Sequence, residues 1–257
     1  MSEQQPVLEA VGITKRFGSV DALVDCDFRL DAGEVVALVG DNGAGKSTLV
    51  KILAGVYHPD DGTIRFHGNR VTLTPAAARN MGIETVYQDL ALAPTMDAAE
   101  NLFLGREVAR PGLLGRLGFV DKKRMRRDCL TLFSDLGVTI PNIRGSVSGM
   151  SGGQRQGVAV ARATIWANQV VFLDEPTAAL GVVQTKHVLD LIRRVRDRGL
   201  GVVLISHQMP DVLAVSDRIE VLRQGRNAAS FARQDATMEL IVAAMTGALA
   251  TTHEERS

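Results

Sequence analysis

The chain has 257 residues, 46% of them hydrophobic, enough to fill a sizeable core and too many for a disordered polymer. Its 29 basic residues balance 29 acidic ones, so nothing in the overall charge points to polyanion binding, and no nucleic-acid partner is expected. No apolar run approaches the ~20 residues that span a bilayer, Met1 to Leu8 lacks a secretory pattern, and Cys26 and Cys129 form neither metal nor redox spacing, as suits a reducing cytosol.

Along the chain, Cys26, Phe28 and Leu30 alternate with Asp27, Arg29 and Asp31, a period of two that predicts a half-buried antiparallel strand. Val35 to Val39 is a continuous apolar run, followed by a glycine-rich loop and then Leu49, Ile52 and Leu53 at helical spacing up to Gly55. Asp61-Gly62 reads as a turn, Ile64 and Phe66 as more antiparallel sheet, and Ile83 to Tyr87 as another strand. From about Asp89 to Gly157 the pattern is helical, with a capping box at Asp97 and Glu100 and a basic cluster, Lys122 to Arg127, on a solvated helix face. Val170 to Leu173 and Val202 to Ile205 flank a helix carrying Val188, Leu191, Ile192 and Val195, so the two strands pair in parallel. Ile219 to Leu222, a Gln224-Gly225 turn and Ala228 to Phe231 form a hairpin ahead of a helix from Met238. The whole reads as one α/β domain with a helical insertion.

Chemistry concentrates in three places. Gly40-Asp41-Asn42-Gly43-Ala44-Gly45-Lys46-Ser47 has the spacing of a phosphate loop. Its glycines let backbone N–H groups surround phosphate oxygens, a helix N-terminus faces them, Lys46 reaches the outer phosphates, and Ser47 can ligate Mg²⁺. At the end of an apolar strand stand Asp174, suited to the outer shell of Mg²⁺, and Glu175, suited to polarising an attacking water. Ser151-Gly152-Gly153-Gln154 starts a helix with Ser151 as cap and Gln154 answering it. That glycine-bearing end is a second anion site, more than one nucleotide requires in one chain, and dimerisation resolves the surplus.

With these motifs the chain resembles the nucleotide-binding subunit of an ATP-binding cassette transporter, from about Leu8 to Gly247. The resemblance implies a P-loop NTPase with a RecA-like parallel sheet core, an N-terminal antiparallel β subdomain and an inserted helical subdomain. It divides the chain into a single domain, 1–247, with the core in 1–88 and 158–247, the helical signature subdomain in 89–157, and a tail at 248–257. ATP and Mg²⁺ are the implied cofactors, held by Gly40 through Thr48. By the same resemblance Phe17 stacks on adenine, Gln88 senses Mg²⁺ and the attacking water, His207 contacts the γ-phosphate, and Ser151 to Gln154 complete the partner's site. Two departures stand out: Met150 replaces the usual leucine before the signature, and Gly181 replaces the aspartate after Pro176-Thr177-Ala178-Ala179-Leu180, which puts the coupling of the two sites in question.

Leu92-Ala93-Pro94-Thr95-Met96, Ala99 to Glu107 and the ending Met245-Thr246-Gly247 resemble bacterial monosaccharide importers of the ribose, xylose and fructose type. A homodimer at the cytoplasmic face of the inner membrane is then implied, peripheral to a permease and served indirectly by a periplasmic sugar-binding protein. The alternatives are import of another small solute such as an amino acid, a soluble cassette ATPase acting on nucleic acid or ribosomes, and a regulatory module that binds ATP without hydrolysis.

Overall fold

The computed structural model describes residues 5–248. A long antiparallel pair opens it, β1 (Leu8–Phe17) and β2 (Val20–Leu30), in which Cys26, Phe28 and Leu30 are buried as their alternation predicts. The sequence reading passes over β1, because register shifts between Ala10 and Ile13 and between Ile13 and Lys15 break its period of two. Next come the fully buried β3 (Val35–Val39) and α1 (Lys46–Leu53), then β4 (Asp61–Phe66), β5 (Asn69–Val71), the short α2 (Pro75–Asn80) and β6 (Ile83–Val86).

Asp61-Gly62 is not the expected turn. Both residues belong to β4, and Gly62 serves close approach instead: a Cβ there would lie 2.6 Å from the Gly12 carbonyl oxygen, where β1 bulges against it.

The helical insertion contains α3 (Ala98–Leu102), α4 (Leu113–Arg116) and α5 (Lys122–Leu136). Asp97 and Glu100 form both halves of their capping box. In the basic cluster Lys122, Arg124 and Arg127 are exposed, whereas Arg126 turns inward to the buried Asp97 carboxylate, 2.8 Å away. Helix α6 (Gly152–Trp166) runs without a break across residue 157, so no chain discontinuity accompanies the boundary drawn there.

From β7 (Val170–Asp174) the chain passes through α7 (Val182–Asp197) to β8 (Gly201–Ile205), then α8 (Met209–Val215), the hairpin β9 (Arg218–Arg223) and β10 (Arg226–Ala232), and α9 (Met238–Thr246). One sheet is antiparallel, in the order β2-β1-β4-β5; the other has the order β10-β9-β3-β8-β7-β6, parallel except for β10. The larger sheet is covered on one side by α6 and α7 with α5 beyond, while β2 and α1 pack on the other. Of the tail expected at 248–257, residues 249–257 lie outside the described part.

Candidate functional site

Parallel strands end together, and in this sheet their ends carry the polar residues singled out in the sequence. Gly40 follows β3, His207 follows β8, Asp174 closes β7 with Glu175 next, and Gln88 follows β6; β3, β8, β7 and β6 are consecutive neighbours. The carboxyl edge of an open α/β sheet is where such folds hold ligands. This geometry gathers four separate stretches of sequence into one site.

The loop Gly40 to Ser47 wraps the N-terminus of α1. Gly40 and Gly45 both take positive φ, and a Cβ would lie 2.3 Å from the Leu222 carbonyl oxygen at the first and 2.7 Å from the Ala22 carbonyl oxygen at the second. Any larger residue would push the loop off its supports. No side chain caps α1, and the backbone N–H groups of Gly43, Gly45, Lys46, Ser47 and Thr48 find no acceptor among the described residues. Five amides aimed at one concavity, at the positive end of a helix, form a ready anion cradle. Asp41 and Asn42 are exposed on its rim, Ala44 is buried beneath it, and a cavity of about 280 Å³ opens between the loop and Val20 to Ala22.

Lys46 lies back over its own loop, donating to the carbonyl oxygens of Gly40 at 2.7 Å and Asp41 at 3.0 Å. Burial lowers its pKa from the ordinary lysine range, against the opposing pull of the Glu175, Asp41 and Asp174 carboxylates. Asp174 sits across from Lys46 with its carboxyl pushed above the usual range, first by burial and then by the neighbouring Glu175. A cation placed there would relieve both effects. The oxygen donors of Ser47, Asp174 and Gln88 suit Mg²⁺, which takes a few protein oxygens and keeps phosphate and water for the rest.

Glu175 has a left-handed backbone, φ 50°, which a non-glycine residue adopts only when its surroundings enforce it. The Glu175 amide donates to the Ile205 carbonyl at 2.9 Å, tying the strained turn to β8. His207 Nδ1 lies 2.8 Å from Glu175 Oε1; since a carboxylate only accepts, the imidazole donates. The other oxygen, Oε2, is buried and has no hydrogen-bond partner among the described residues. A buried acceptor left open is placed to hold the proton of a water molecule. His207 itself is largely exposed, free to turn toward a ligand.

Phe17 stands at the tip of the β1–β2 hairpin, 43% exposed, with its ring edge-on to Tyr57 at 5.3 Å and the Lys15 ammonium 5.6 Å from its centre. It is therefore not a core phenylalanine. The supporting Tyr57 and the hairpin wall Val20 to Ala22 escape the sequence reading; they join the site only through folding, and no local spacing signals them.

Ser151 to Gln154 do not join this cluster. Ser151 caps α6 by accepting from the Gln154 amide at 3.3 Å, and Gln154 Oε1 accepts the Ser151 amide at 2.9 Å. Ser151, Gly153 and Gln154 border a different cavity, about 340 Å³, whose other walls include Gly137, Gln184 and His187, and it shares no residue with the cavity at the phosphate loop. Nearby, Gly181 occupies the N-cap of α7 and supplies no side-chain hydrogen bond, and Val182 beyond it is 89% exposed.

The profile of the ABC transporter family matches residues 23–178. A fructose import ATP-binding protein of Rhizobium meliloti is 50% identical over 248 residues, covering 95% of each chain, and a xylose/arabinose import ATP-binding protein of Sulfolobus acidocaldarius is 44% identical over 93% of this chain and 94% of its own. A Burkholderia cenocepacia protein, described as a putative ribose/galactose/methyl galactoside import ATP-binding protein, is 40% identical; this chain spans 47% of its length. Among solved structures, an ATP-binding cassette of an ABC transporter in its ADP conformation superposes with a TM-score of 0.77 at 22% identity, covering 95% of this chain and 96% of the other. At that identity the likeness speaks for the fold.

Proposed function

The chain belongs to the ABC transporter family, and from that premise we propose that it is the ATP-hydrolysing subunit that powers import of a sugar, a monosaccharide, through a separate membrane permease. One observation supports this above all: the open amide cradle, Lys46, Asp174, Glu175, His207 and Gln88 meet at the carboxyl ends of four adjacent strands. The names of relatives that handle fructose and xylose or arabinose support the substrate class. Among the described residues no helix is long and apolar enough to cross a membrane, so the reading gives that task to the permease.

Bound ATP supplies the scissile phosphate bond, and Mg²⁺ neutralises its charge. In this reading the open amides of Gly43 and of Gly45 to Thr48 hold phosphate oxygens and Lys46 leaves its two carbonyls for the outer phosphates. Ser47, Asp174 and Gln88 hold the metal directly or through water, and Phe17 stacks on the adenine. Glu175 Oε2, the open buried acceptor, orients the water and takes its proton, while His207 fixes the carboxylate and reaches the γ-phosphate. Ser151 to Gln154 close the site of a second copy, since Ser151, Gly153 and Gln154 border a separate cavity in their own chain. Such a dimer sits peripherally at the cytoplasmic face of the inner membrane, fed by a sugar-binding protein on the other side.

Reconstitution tests this. The chain, its permease and the binding protein in liposomes should release phosphate faster when the cognate sugar is added, and Glu175→Gln should lower that release by roughly 10²-fold or more. Phosphate release that ignores permease, binding protein and every sugar would overturn the transport reading.

A further inference from the structure

Four large apolar side chains lie exposed outside both nucleotide-facing regions: Leu113 and Leu117, 71% and 65% exposed, with Leu114 and Phe119 beside them. They decorate an ordered scaffold. Ala109 pairs with Val120 across an antiparallel bridge, Asp121 donates to the Val108 carbonyl at 2.7 Å, and Arg110 donates to that of Phe119 at 2.9 Å. The tip closes through α4, where Leu117 donates to Leu113 at 3.1 Å and Phe119 to Leu114 at 3.1 Å. Gly115 makes that closure possible, since a Cβ there would lie 1.9 Å from the Arg110 carbonyl oxygen. At its root, the Arg106 guanidinium bonds Glu84 at 2.9 Å and stacks 4.6 Å from the Trp166 ring. With its backbone bonded internally and its base fastened, the hairpin holds leucine and phenylalanine outward, an arrangement that points to an apolar environment.

Charge identifies the environment. Between Glu107 and Asp121 the only charged residues are Arg110 and Arg116; at the start of α5 follow Lys122, paired with Glu100 at 2.8 Å, and Lys123. Between Val108 and Val120 the apolar tip carries two arginines and no carboxylate, which is complementary to an anionic bilayer surface, where aliphatic and aromatic groups enter the headgroup layer and arginine meets phosphate. We propose that the 108–121 hairpin is a membrane-contacting tip that dips into the headgroup layer of an anionic leaflet and steadies the chain against it. This rests on the transport reading only for what brings the chain near a membrane.

The test uses the purified full chain with sedimented vesicles, of equal parts phosphatidylcholine and phosphatidylglycerol in one arm and of phosphatidylcholine alone in the other. The chain should associate with the anionic vesicles and much less with the neutral ones. Leu113→Glu combined with Leu117→Glu should lower association by at least about tenfold, and Arg110→Ala or Arg116→Ala by roughly fivefold each, on anionic vesicles alone. All variants should keep the ATP turnover of the unchanged chain, which controls for folding. Equal sedimentation of every variant would overturn the proposal. So would a Leu113→Glu, Leu117→Glu chain that loses a detergent-solubilised permease yet still binds vesicles, since the tip would then be a permease contact. If sugar-stimulated ATPase survives in liposomes while vesicle binding fails, this inference falls and the transport reading stands.

Discussion

Two helix ends in this molecule, both proposed above to meet an anion, are built in different ways. The N-terminus of α1 has no side-chain cap and leaves five amides open, with Lys46 parked on Gly40 and Asp41 carbonyls beside them. The N-terminus of α6 is partly capped by its own residues: Ser151 and Gln154 satisfy each other's amides, the Gly152 and Gly153 amides find no acceptor among the described residues, and the end borders another cavity. In the proposed reading the first is an incomplete site that phosphate completes. The second is held in shape by its own cap, and in the proposed reading it offers a serine hydroxyl and the two glycine amides to a ligand held by a second copy. The self-capped end keeps its geometry through its own side chains, whereas the uncapped end leaves most of its first-turn amides for a ligand.

Lys46→Ala should break the first end most severely: loss of a charge-assisted contact to phosphate weakens ATP binding by roughly 10- to 100-fold, read by isothermal titration. If ATP bound normally, the cradle would not be the site. Ser151→Ala should act at the second end and spare the first. ATP affinity of the isolated chain stays unchanged, turnover falls by about tenfold, and the fold loses about 1 kcal/mol with the cap; an affinity loss equal to that of Lys46→Ala would erase the distinction between the two ends.

A pH series sharpens the comparison further. Asp174 holds its proton more tightly in the folded chain than in the unfolded one, so its charge opposes folding above the raised pKa, and the opposition fades as pH falls through it. Calorimetry should therefore find a slightly higher Tm for nucleotide-free Asp174→Asn at neutral pH, a gain that shrinks in acid, alongside a lost Mg²⁺ response. Gly181→Asp should give the smallest effect. It adds an N-cap to α7 worth a few tenths of a kcal/mol, with only the flexible end of Gln184, 2.8 Å from the new Cβ, needing to move; a clear drop in Tm would contradict this.

What the sequence discloses here is local. Val35 to Val39 reads as a buried strand because no polar residue interrupts it, and both capping boxes are legible because their partners stand three residues apart. Each residue of the strand-end cluster is recognisable in its own motif. The single edge they share depends on a sheet order that crosses most of the chain. Features set by contact between distant segments stay hidden: β1 with its bulges, Gly62 pressed against Gly12, and Tyr57 under Phe17. The short α2 is a different miss, since Thr74 caps it and Pro75 begins it, both local signals. The hairpin tip at Leu113 is hidden for another reason, because a run of leucines and glycines does not say which side faces out.

The proposed dimer follows from the two helix ends of one chain bordering separate cavities. Sedimentation equilibrium of Glu175→Gln with ATP and Mg²⁺ tests that most directly. Two copies should associate when nucleotide is present and cleavage is blocked, and Ser151→Ala added to the same chain should weaken the pair. A protein that stays at the mass of a single chain under those conditions would contradict the account.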